Sequence, residues 1–123
     1  MIRKILIVDD SPISRRMLKS CLPKEREFEI VEAGDGKVGV EMFKEHEPDL
    51  TFMDLTMPVM DGVQALAEIL KYNVDAKVVV CTADVQIKSI NRVLDIGAYH
   101  IVKKPPTKDN INRTLAMAEE GKG

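Results

Sequence analysis

The sequence predicts an α/β fold in which helices cover both faces of a parallel sheet. Five short apolar runs rich in Ile and Val recur along the 123 residues, and each run is too short to form a helix. A segment with helical periodicity follows each run, and regular strand–helix alternation produces parallel strands joined by right-handed crossovers. The first and fourth runs are almost continuously apolar, which is typical of strands that are buried on both faces.

The predicted strands are the five apolar runs themselves. Ligands of such sheets bind beyond the carboxyl ends of the strands, so the residue that follows each run matters for function. The five predicted strands cover residues 4–8, 28–32, 50–53, 77–81 and 99–102.

The predicted helices carry recognisable start and stop signals. Ser11 can cap the first helix, with Pro12 at the first helical position, where its missing N–H group is not needed. Asp61 can cap the third helix, and the last one starts after Thr107. Gly97 follows the fourth helix at a position that favours a left-handed residue. We therefore expect helices to follow all five strands.

Length and composition indicate one domain, residues 1–123, with a polar tail at 119–123. The net charge of −2 gives no reason to expect a nucleic-acid partner. The two cysteines form no CxxC motif or Cys/His cluster, which argues against a zinc site and fits a reducing compartment. The first apolar run is too short for a signal peptide, and no stretch approaches the roughly 20 apolar residues of a membrane span. We expect a cytoplasmic protein that does not bind membranes.

Polar side chains follow the predicted strands at one edge of the sheet. Asp9 and Asp10 close the first strand, and Asp54 closes the third. Three carboxylates that meet at one edge need a compensating charge, and Mg²⁺ suits a few carboxylates together with a phosphate. Thr82 follows the fourth strand and Lys104 follows the fifth. This arrangement points to phosphate chemistry.

Each of these residues also has an ordinary structural interpretation. An aspartate pair often starts a helix, and a lone Asp54 is commonly a turn residue. Thr82 alone would be a helix cap, and Lys104 alone a solvated lysine. Because all of them occur in order, each at a strand end, we favour the functional interpretation.

Four motifs resemble the receiver domain of two-component response regulators over essentially the whole chain. They are Asp9-Asp10, the segment DLTMPVMDG at 54–62, Thr82-Ala83 and Lys104-Pro105. The chain is most similar to stand-alone, CheY-like members of the family. The resemblance implies a flavodoxin-like (βα)5 fold, a doubly wound five-stranded parallel sheet with strand order 2-1-3-4-5, and a cis peptide at Lys104-Pro105.

The resemblance also assigns roles to the residues at the sheet edge. It implies that Asp54 accepts a phosphoryl group, while Lys104 and Thr82 contact the phosphoryl oxygens. The family members are phosphoprotein switches with weak autophosphorylation and autodephosphorylation activity, so we do not expect a turnover enzyme.

The metal site of the family is likewise carried over by resemblance. Asp10 and Asp54 would bind Mg²⁺ directly, and Asp9 would bind it directly or through water. The backbone carbonyl of Thr56, two residues beyond Asp54, would complete the protein ligands. We expect Mg²⁺ as the cofactor.

The resemblance implies two kinds of protein partner. A sensor histidine kinase or phosphotransfer protein would supply the phosphoryl group, and a downstream target would bind the face formed by helix 4, strand 5 and helix 5, as in chemotaxis.

Relatives usually carry Tyr or Phe three residues before the lysine of Lys-Pro, where this chain has Ile101. Tyr99 has the same strand parity and is predicted to cover part of that surface. Ile90 and Lys103 are further candidates for the switch and output surface.

Two other function classes remain open from the sequence. The first is a degenerate receiver that binds a partner without phosphorylation, which the departure at Ile101 keeps in consideration. The second is an aspartate-nucleophile phosphatase, although Thr56 stands where that class has a second aspartate. A nucleotide-binding protein is disfavoured because no glycine-rich loop follows the first strand.

Overall fold

The computed structural model describes residues 1–120, in which strands and helices alternate as predicted. Among these residues, no helix combines the length and apolar character that crossing a membrane would require. The strands are β1 (Lys4–Val8), β2 (Glu29–Ala33), β3 (Leu50–Asp54), β4 (Val78–Thr82) and β5 (His100–Lys103). The helices are α1 (Pro12–Cys21), α2 (Gly36–His46), α3 (Gly62–Tyr72), α4 (Ile87–Ile96) and α5 (Lys108–Glu119).

All five strands are parallel and lie in the order β2-β1-β3-β4-β5, which confirms the predicted fold class. The chain begins in β1, moves to one side to form β2, and returns to the other side of β1 to form β3. The strand order therefore reverses between β1 and β3. The carboxyl ends of these two strands border a crevice, which is where sheets of this class bind ligands.

Alternate residues of each strand face two separate apolar cores. On one face, Ile7 and Phe52 pack with Leu115 of α5 and with α1. On the other face, Leu6 and Val80 pack with residues of α2, α3 and α4. Every central strand is thus covered on both sides, which explains its nearly continuous apolar sequence.

Helix capping follows the predicted signals. The hydroxyl of Ser11 accepts a hydrogen bond from the Ser14 N–H group at 3.2 Å, and Thr107 caps α5 in the same way. Asp61 forms a reciprocal capping box with Gln64. Gly97 ends α4 with a φ of 127°, a backbone conformation that favours glycine.

The strand ends differ from the prediction by one residue. β3 extends through Asp54, which pairs with Cys81, and β4 extends through Thr82, which pairs with Lys103. Backbone pairing continues under these polar side chains because the ladder does not depend on side-chain polarity. Asp54 and Thr82 are therefore held by the sheet itself and not by a flexible loop.

Two predicted features are wrong in position. The polar tail was predicted from Glu119, but α5 includes that residue, whose carboxylate accepts hydrogen bonds from Arg26 and from the Ile2 N–H group. Residues 121–123 of the predicted tail lie outside the described range.

Tyr99 does not share a surface with Ile101. It precedes β5, so strand alternation does not apply to it, and it packs on the α1 and α5 face while Ile101 packs on the opposite face.

Candidate functional site

The three predicted aspartates meet at the sheet edge. Asp9 directly follows β1 and is buried, Asp10 is exposed, and Asp54 ends β3 in a half-buried position. One carboxylate oxygen from each residue lies within 4.8 Å of the other two. Such a cluster of hard oxygen donors fits a divalent cation. Thr56 lies two residues beyond Asp54, at the start of the loop that connects β3 to α3.

Lys104 places a positive charge in this cluster. Its ammonium nitrogen lies 2.8 Å from Asp9 Oδ2 and 3.2 Å from Asp54 Oδ1. The Lys104 N–H group donates to the Thr82 carbonyl oxygen at 2.9 Å, which anchors the lysine backbone to the end of β4. The Lys104-Pro105 peptide is cis, as the resemblance implied.

Burial and neighbouring charges at this edge shift the pKa values of Asp54 and Lys104. Burial, followed by the charge of Asp9, raises the pKa of Asp54 above its ordinary value of 3.8, although Lys104 opposes this. Burial acts to lower the pKa of Lys104, but its hydrogen bond to Asp9 and the charge of Asp54 outweigh burial and raise it. The site therefore places a lysine with a raised pKa beside a carboxylate whose pKa is raised by burial and by a neighbouring negative charge.

Thr82 is buried at the end of β4, at the same carboxyl edge of the sheet. Its hydroxyl oxygen accepts a hydrogen bond from the Asp84 N–H group at 3.0 Å, which leaves the hydroxyl hydrogen available for another acceptor. The Asp84 carboxylate accepts from the Gln86 N–H group and from the Ser89 hydroxyl, at 3.0 and 2.6 Å. Asp84 thus organises the start of α4 in this structure.

The loop between β3 and α3 is tied down at several points. The Gly62 N–H group donates to the Leu55 carbonyl at 2.9 Å, and the Gly36 N–H group donates to the Met60 carbonyl at 3.0 Å. A hydrogen bond of 2.8 Å from the Met60 N–H group to the Pro58 carbonyl closes a three-residue turn around Val59, whose φ is 69°. The backbone next to Asp54 is therefore constrained.

An apolar cavity of about 300 Å³ lies beside Asp54 and Lys104. Cys81 contributes a buried thiol to its wall, and burial, with a smaller opposing effect from Lys104, raises the pKa of that thiol to about 12. The thiol is therefore protonated at neutral pH. The other apolar contributors to the wall include Ile7, Val8, Met17, Leu18, Phe52, Ala83, Pro105 and Pro106.

Comparison with known proteins decides the family. Residues 5–116 match the model of the response regulator receiver domain. The chain belongs to the response regulator receiver family. This receiver domain is 42% identical over 120 residues to the chemotaxis protein CheY of Bacillus subtilis (strain 168), with 94% of this chain and 99% of that protein covered.

Two further relatives extend the comparison. The receiver domain is 38% identical over 112 residues to the chemotaxis protein CheY of Halobacterium salinarum, covering 90% of this chain and 92% of that protein. Among solved structures, CheY in the CheX-CheY-BeF3-Mg+2 complex from Borrelia burgdorferi superimposes with a TM-score of 0.89 at 28% identity, covering 96% of this chain and 89% of that one. The protein is thus a CheY-like receiver domain, consistent with a two-component phosphorelay.

The candidate output residues of the receiver domain fall into two groups. Ile90 is half-buried on α4, Ile101 is half-buried on β5 and packs against the α2, α3 and α4 core, and Lys103 is exposed at the end of β5. Tyr99 belongs to the other face, where its hydroxyl donates to the Met117 carbonyl of α5 at 2.9 Å.

Arg15 also contacts the site, a position that was not predicted from the sequence. Its guanidinium Nη1 donates to the Asp9 carbonyl oxygen at 2.6 Å, and its Nε donates to Glu32 at 2.8 Å. The signal in the sequence is weak, because Arg15 looks like one more basic residue on an exposed helix face. Only the packing of α1 against the β1 and β2 ends brings it to the acidic pair.

Proposed function

We propose that Asp54 of this receiver domain accepts a phosphoryl group from a phosphohistidine of a sensor histidine kinase or phosphotransfer protein. The modification then changes the affinity of the domain for a protein partner. The observation that supports this proposal is the convergence of Asp9, Asp10 and Asp54 within 4.8 Å, with the Lys104 ammonium beside two of them. Similarity to proteins named chemotaxis protein CheY favours a role in chemotaxis.

The proposed reaction is a phosphoryl transfer between two side chains. A carboxylate oxygen of Asp54 forms a bond to phosphorus while the bond from phosphorus to the donor imidazole nitrogen breaks, and the bonding electron pair returns to the imidazole. The product on Asp54 is an acyl phosphate. Because β3 pairing holds Asp54, the nucleophile does not have to be positioned by the donor protein.

The acidic cluster fits Mg²⁺ as the cofactor. Asp9, Asp10 and Asp54 would hold the ion, with the Thr56 carbonyl as a further ligand that the family resemblance supplies. When bound, the ion neutralises charge on the carboxylates and on the phosphoryl oxygens.

Lys104 and Thr82 would hold the transferred group. The Lys104 ammonium already lies beside Asp54 and can contact a phosphoryl oxygen by a small side-chain movement. The Thr82 hydroxyl hydrogen is available to a second oxygen. Both donors act on charge that grows during transfer, which is where such donors contribute most.

The proposed output surface is formed by α4, β5 and α5. Thr82 connects the site to the start of α4 through Asp84, and Ile101 of β5 packs in the core that includes α4. With an isoleucine at this position, we propose that coupling works through movement of the β4–α4 loop and repacking around Ile101. The modification biases the surface by its different interactions with the two conformations.

The experiment that tests this function is an intact-mass measurement after incubation with a phosphodonor, with and without Mg²⁺. Acetyl phosphate and a phosphorylated histidine phosphotransfer protein are used in parallel. We expect a gain of one phosphoryl group that requires Mg²⁺, disappears in Asp54→Asn and persists in Asp75→Asn, an exposed aspartate beyond the opposite end of the sheet. A folded protein that gains no mass from either donor would instead be a phosphorylation-independent adaptor.

A further inference from the structure

The backbone around Asp9 is held at both of its polar groups. Its N–H group donates to the Ala33 carbonyl of β2 at 3.0 Å, where the pairing between β1 and β2 ends. Its carbonyl oxygen lies beyond the strand ladder and accepts from Arg15 Nη1 at 2.6 Å. A side chain of α1 therefore continues the anchoring of this segment after the sheet has ended.

The Asp9 carbonyl belongs to the peptide group that leads into Asp10. Because a peptide group is planar, fixing that carbonyl also fixes the orientation of the Asp10 N–H group and restricts where the Asp10 side chain can go. The Asp10 side chain is exposed, and within residues 1–120 its carboxylate takes no part in the hydrogen bonds and ion pairs that hold the carboxylates of Asp9 and Asp54. Its position near Asp9 and Asp54 thus depends on the backbone that carries it.

Glu32 on β2 orients the Arg15 guanidinium. Glu32 Oε1 accepts from Arg15 Nε at 2.8 Å, and Glu32 Oε2 accepts from Lys19 Nζ at 2.8 Å. These hydrogen bonds, first the one from Lys19, lower the pKa of Glu32 and keep it charged. Its negative charge also offsets that of the guanidinium, which would otherwise repel a cation at the aspartates.

We propose that Arg15, oriented by Glu32, is a positioning residue that sets the Asp9-Asp10 segment for divalent-cation binding. The inference rests on the proposed function of the same site. Arg15 does not touch the reacting atoms and acts only through the Asp9 carbonyl. Its side chain is 19% exposed, so the contact is shielded from competing water on most sides.

The test compares two double variants that change charge in the same way. Arg15→Met/Glu32→Gln removes the contact with Asp9 and the group that orients it, whereas Lys24→Met/Glu25→Gln changes two exposed residues between α1 and β2 and leaves Arg15 and Glu32 in place. Each double variant loses one positive and one negative charge. The Mg²⁺ dissociation constant is measured by titration calorimetry after EDTA treatment, and the thermal midpoint is measured without metal.

We expect the Arg15 double variant to bind Mg²⁺ about tenfold more weakly, as for other residues that orient metal ligands, and the Lys24 double variant to stay within about twofold of wild type. Arg15→Lys, which keeps the charge and one donor group, should give an intermediate affinity. A role in stability alone would lower the thermal midpoint without changing the dissociation constant.

The outcomes separate this inference from the proposed function. If wild type binds Mg²⁺ and gains a phosphoryl group, but both double variants bind Mg²⁺ with the same affinity, the role of Arg15 is wrong and the proposed function stands. If wild type shows neither Mg²⁺ binding nor a phosphoryl gain, the proposed function itself fails. If the Arg15 double variant does not fold, Arg15→Lys decides, and wild-type affinity in that variant contradicts the proposal.

Discussion

The Lys104 ammonium lies closer to Asp9 than to Asp54, at 2.8 Å against 3.2 Å. The lysine therefore forms its shorter ion pair with Asp9 and a longer one with Asp54. In this arrangement Lys104 occupies part of the space in which a cation would balance the same carboxylates. Binding of a divalent cation and the position of Lys104 should accordingly influence each other.

We predict that Lys104→Met lowers the stability of the metal-free protein by about 2 kcal/mol, because Asp9 and Asp54 lose their counter-charge. Added Mg²⁺ should then raise the thermal midpoint of this variant by more than it raises that of wild type, because the uncompensated carboxylates bind the ion more tightly and stabilisation grows with the logarithm of the affinity. Thermal unfolding with EDTA and with Mg²⁺ checks both effects. Lys103→Met, which changes the exposed neighbour, should match wild type; an equal Mg²⁺ shift in all three proteins contradicts the prediction.

Gly62→Ala should damage the loop beside Asp54. A Cβ atom at this position would overlap the Asp54 carbonyl oxygen and lie 2.7 Å from the Leu55 Cα, and neither backbone atom can yield cheaply. We expect a loss of about 3 kcal/mol in the free energy of unfolding and slower phosphoryl gain. The control is Gly34→Ala, where the nearest atom lies 3.9 Å away. Similar urea midpoints for the two variants would show that the loop adjusts freely.

Val59→Asn should stabilise the protein. Val59 has a φ of 69° and is 78% exposed, so the substitution relieves an unfavourable backbone conformation and removes little apolar burial. The expected gain in the free energy of unfolding is about 1 kcal/mol. Val74→Asn is the matched control, because Val74 is 81% exposed and does not have a positive φ. Urea unfolding that shows the same change in both variants would rule out the explanation.

Acidification should remove the contribution of Glu119 to stability. The hydrogen bond from Arg26, opposed by burial, lowers the pKa of Glu119 below its ordinary 4.5. A carboxylate with a lowered folded-state pKa stabilises above the unfolded-state value, and this stabilisation is lost as the pH falls through the folded-state pKa. Glu119→Gln should therefore be less stable than wild type at neutral pH, and the difference should shrink below pH 4.5. Glu41→Gln, on an exposed face of α2, is the control in urea titrations, and an equal change with pH in both variants would contradict the explanation.

Thr51→Val should raise stability by about 1 kcal/mol, because it removes a buried hydroxyl that lacks a partner and keeps the shape of the side chain. Within residues 1–120, Thr51 Oγ1 makes no hydrogen bond, although the residue is fully buried in β3. Thr114→Val is the control, because the equally buried Thr114 hydroxyl donates to the Asn110 carbonyl at 2.8 Å. Calorimetric unfolding that shows a loss for both variants would mean that Thr51 has a partner such as buried water.

The sequence was sufficient for the elements that depend on local pattern. Apolar runs, caps at Ser11 and Asp61, and Gly97 placed the strands and helices, because each signal acts within a few residues. The strand order came from family resemblance, since local pattern does not encode which strands pair. The positions of Asp54 and Thr82 inside their strands were missed because backbone pairing continues beneath polar side chains.

Contacts between distant segments were the least predictable. The bond from Arg15 to the Asp9 carbonyl joins a helix side chain to a backbone atom, and its length depends on how α1 packs against the sheet. The face occupied by Tyr99 was predicted incorrectly because strand alternation was extended one residue beyond β5. The inward turn of Glu119 depends on Arg26, which lies 93 positions away in the chain.

The burial of both cysteines makes this domain a convenient host for site-directed spectroscopy. Cys21 and Cys81 are shielded from solvent, and the thiol of Cys81 has a pKa of about 12, so neither should compete for a maleimide reagent at neutral pH. A cysteine introduced at exposed Lys103 would then be the one site that takes a fluorophore or spin label. Movement of the β5 end could be followed in the otherwise unchanged native chain.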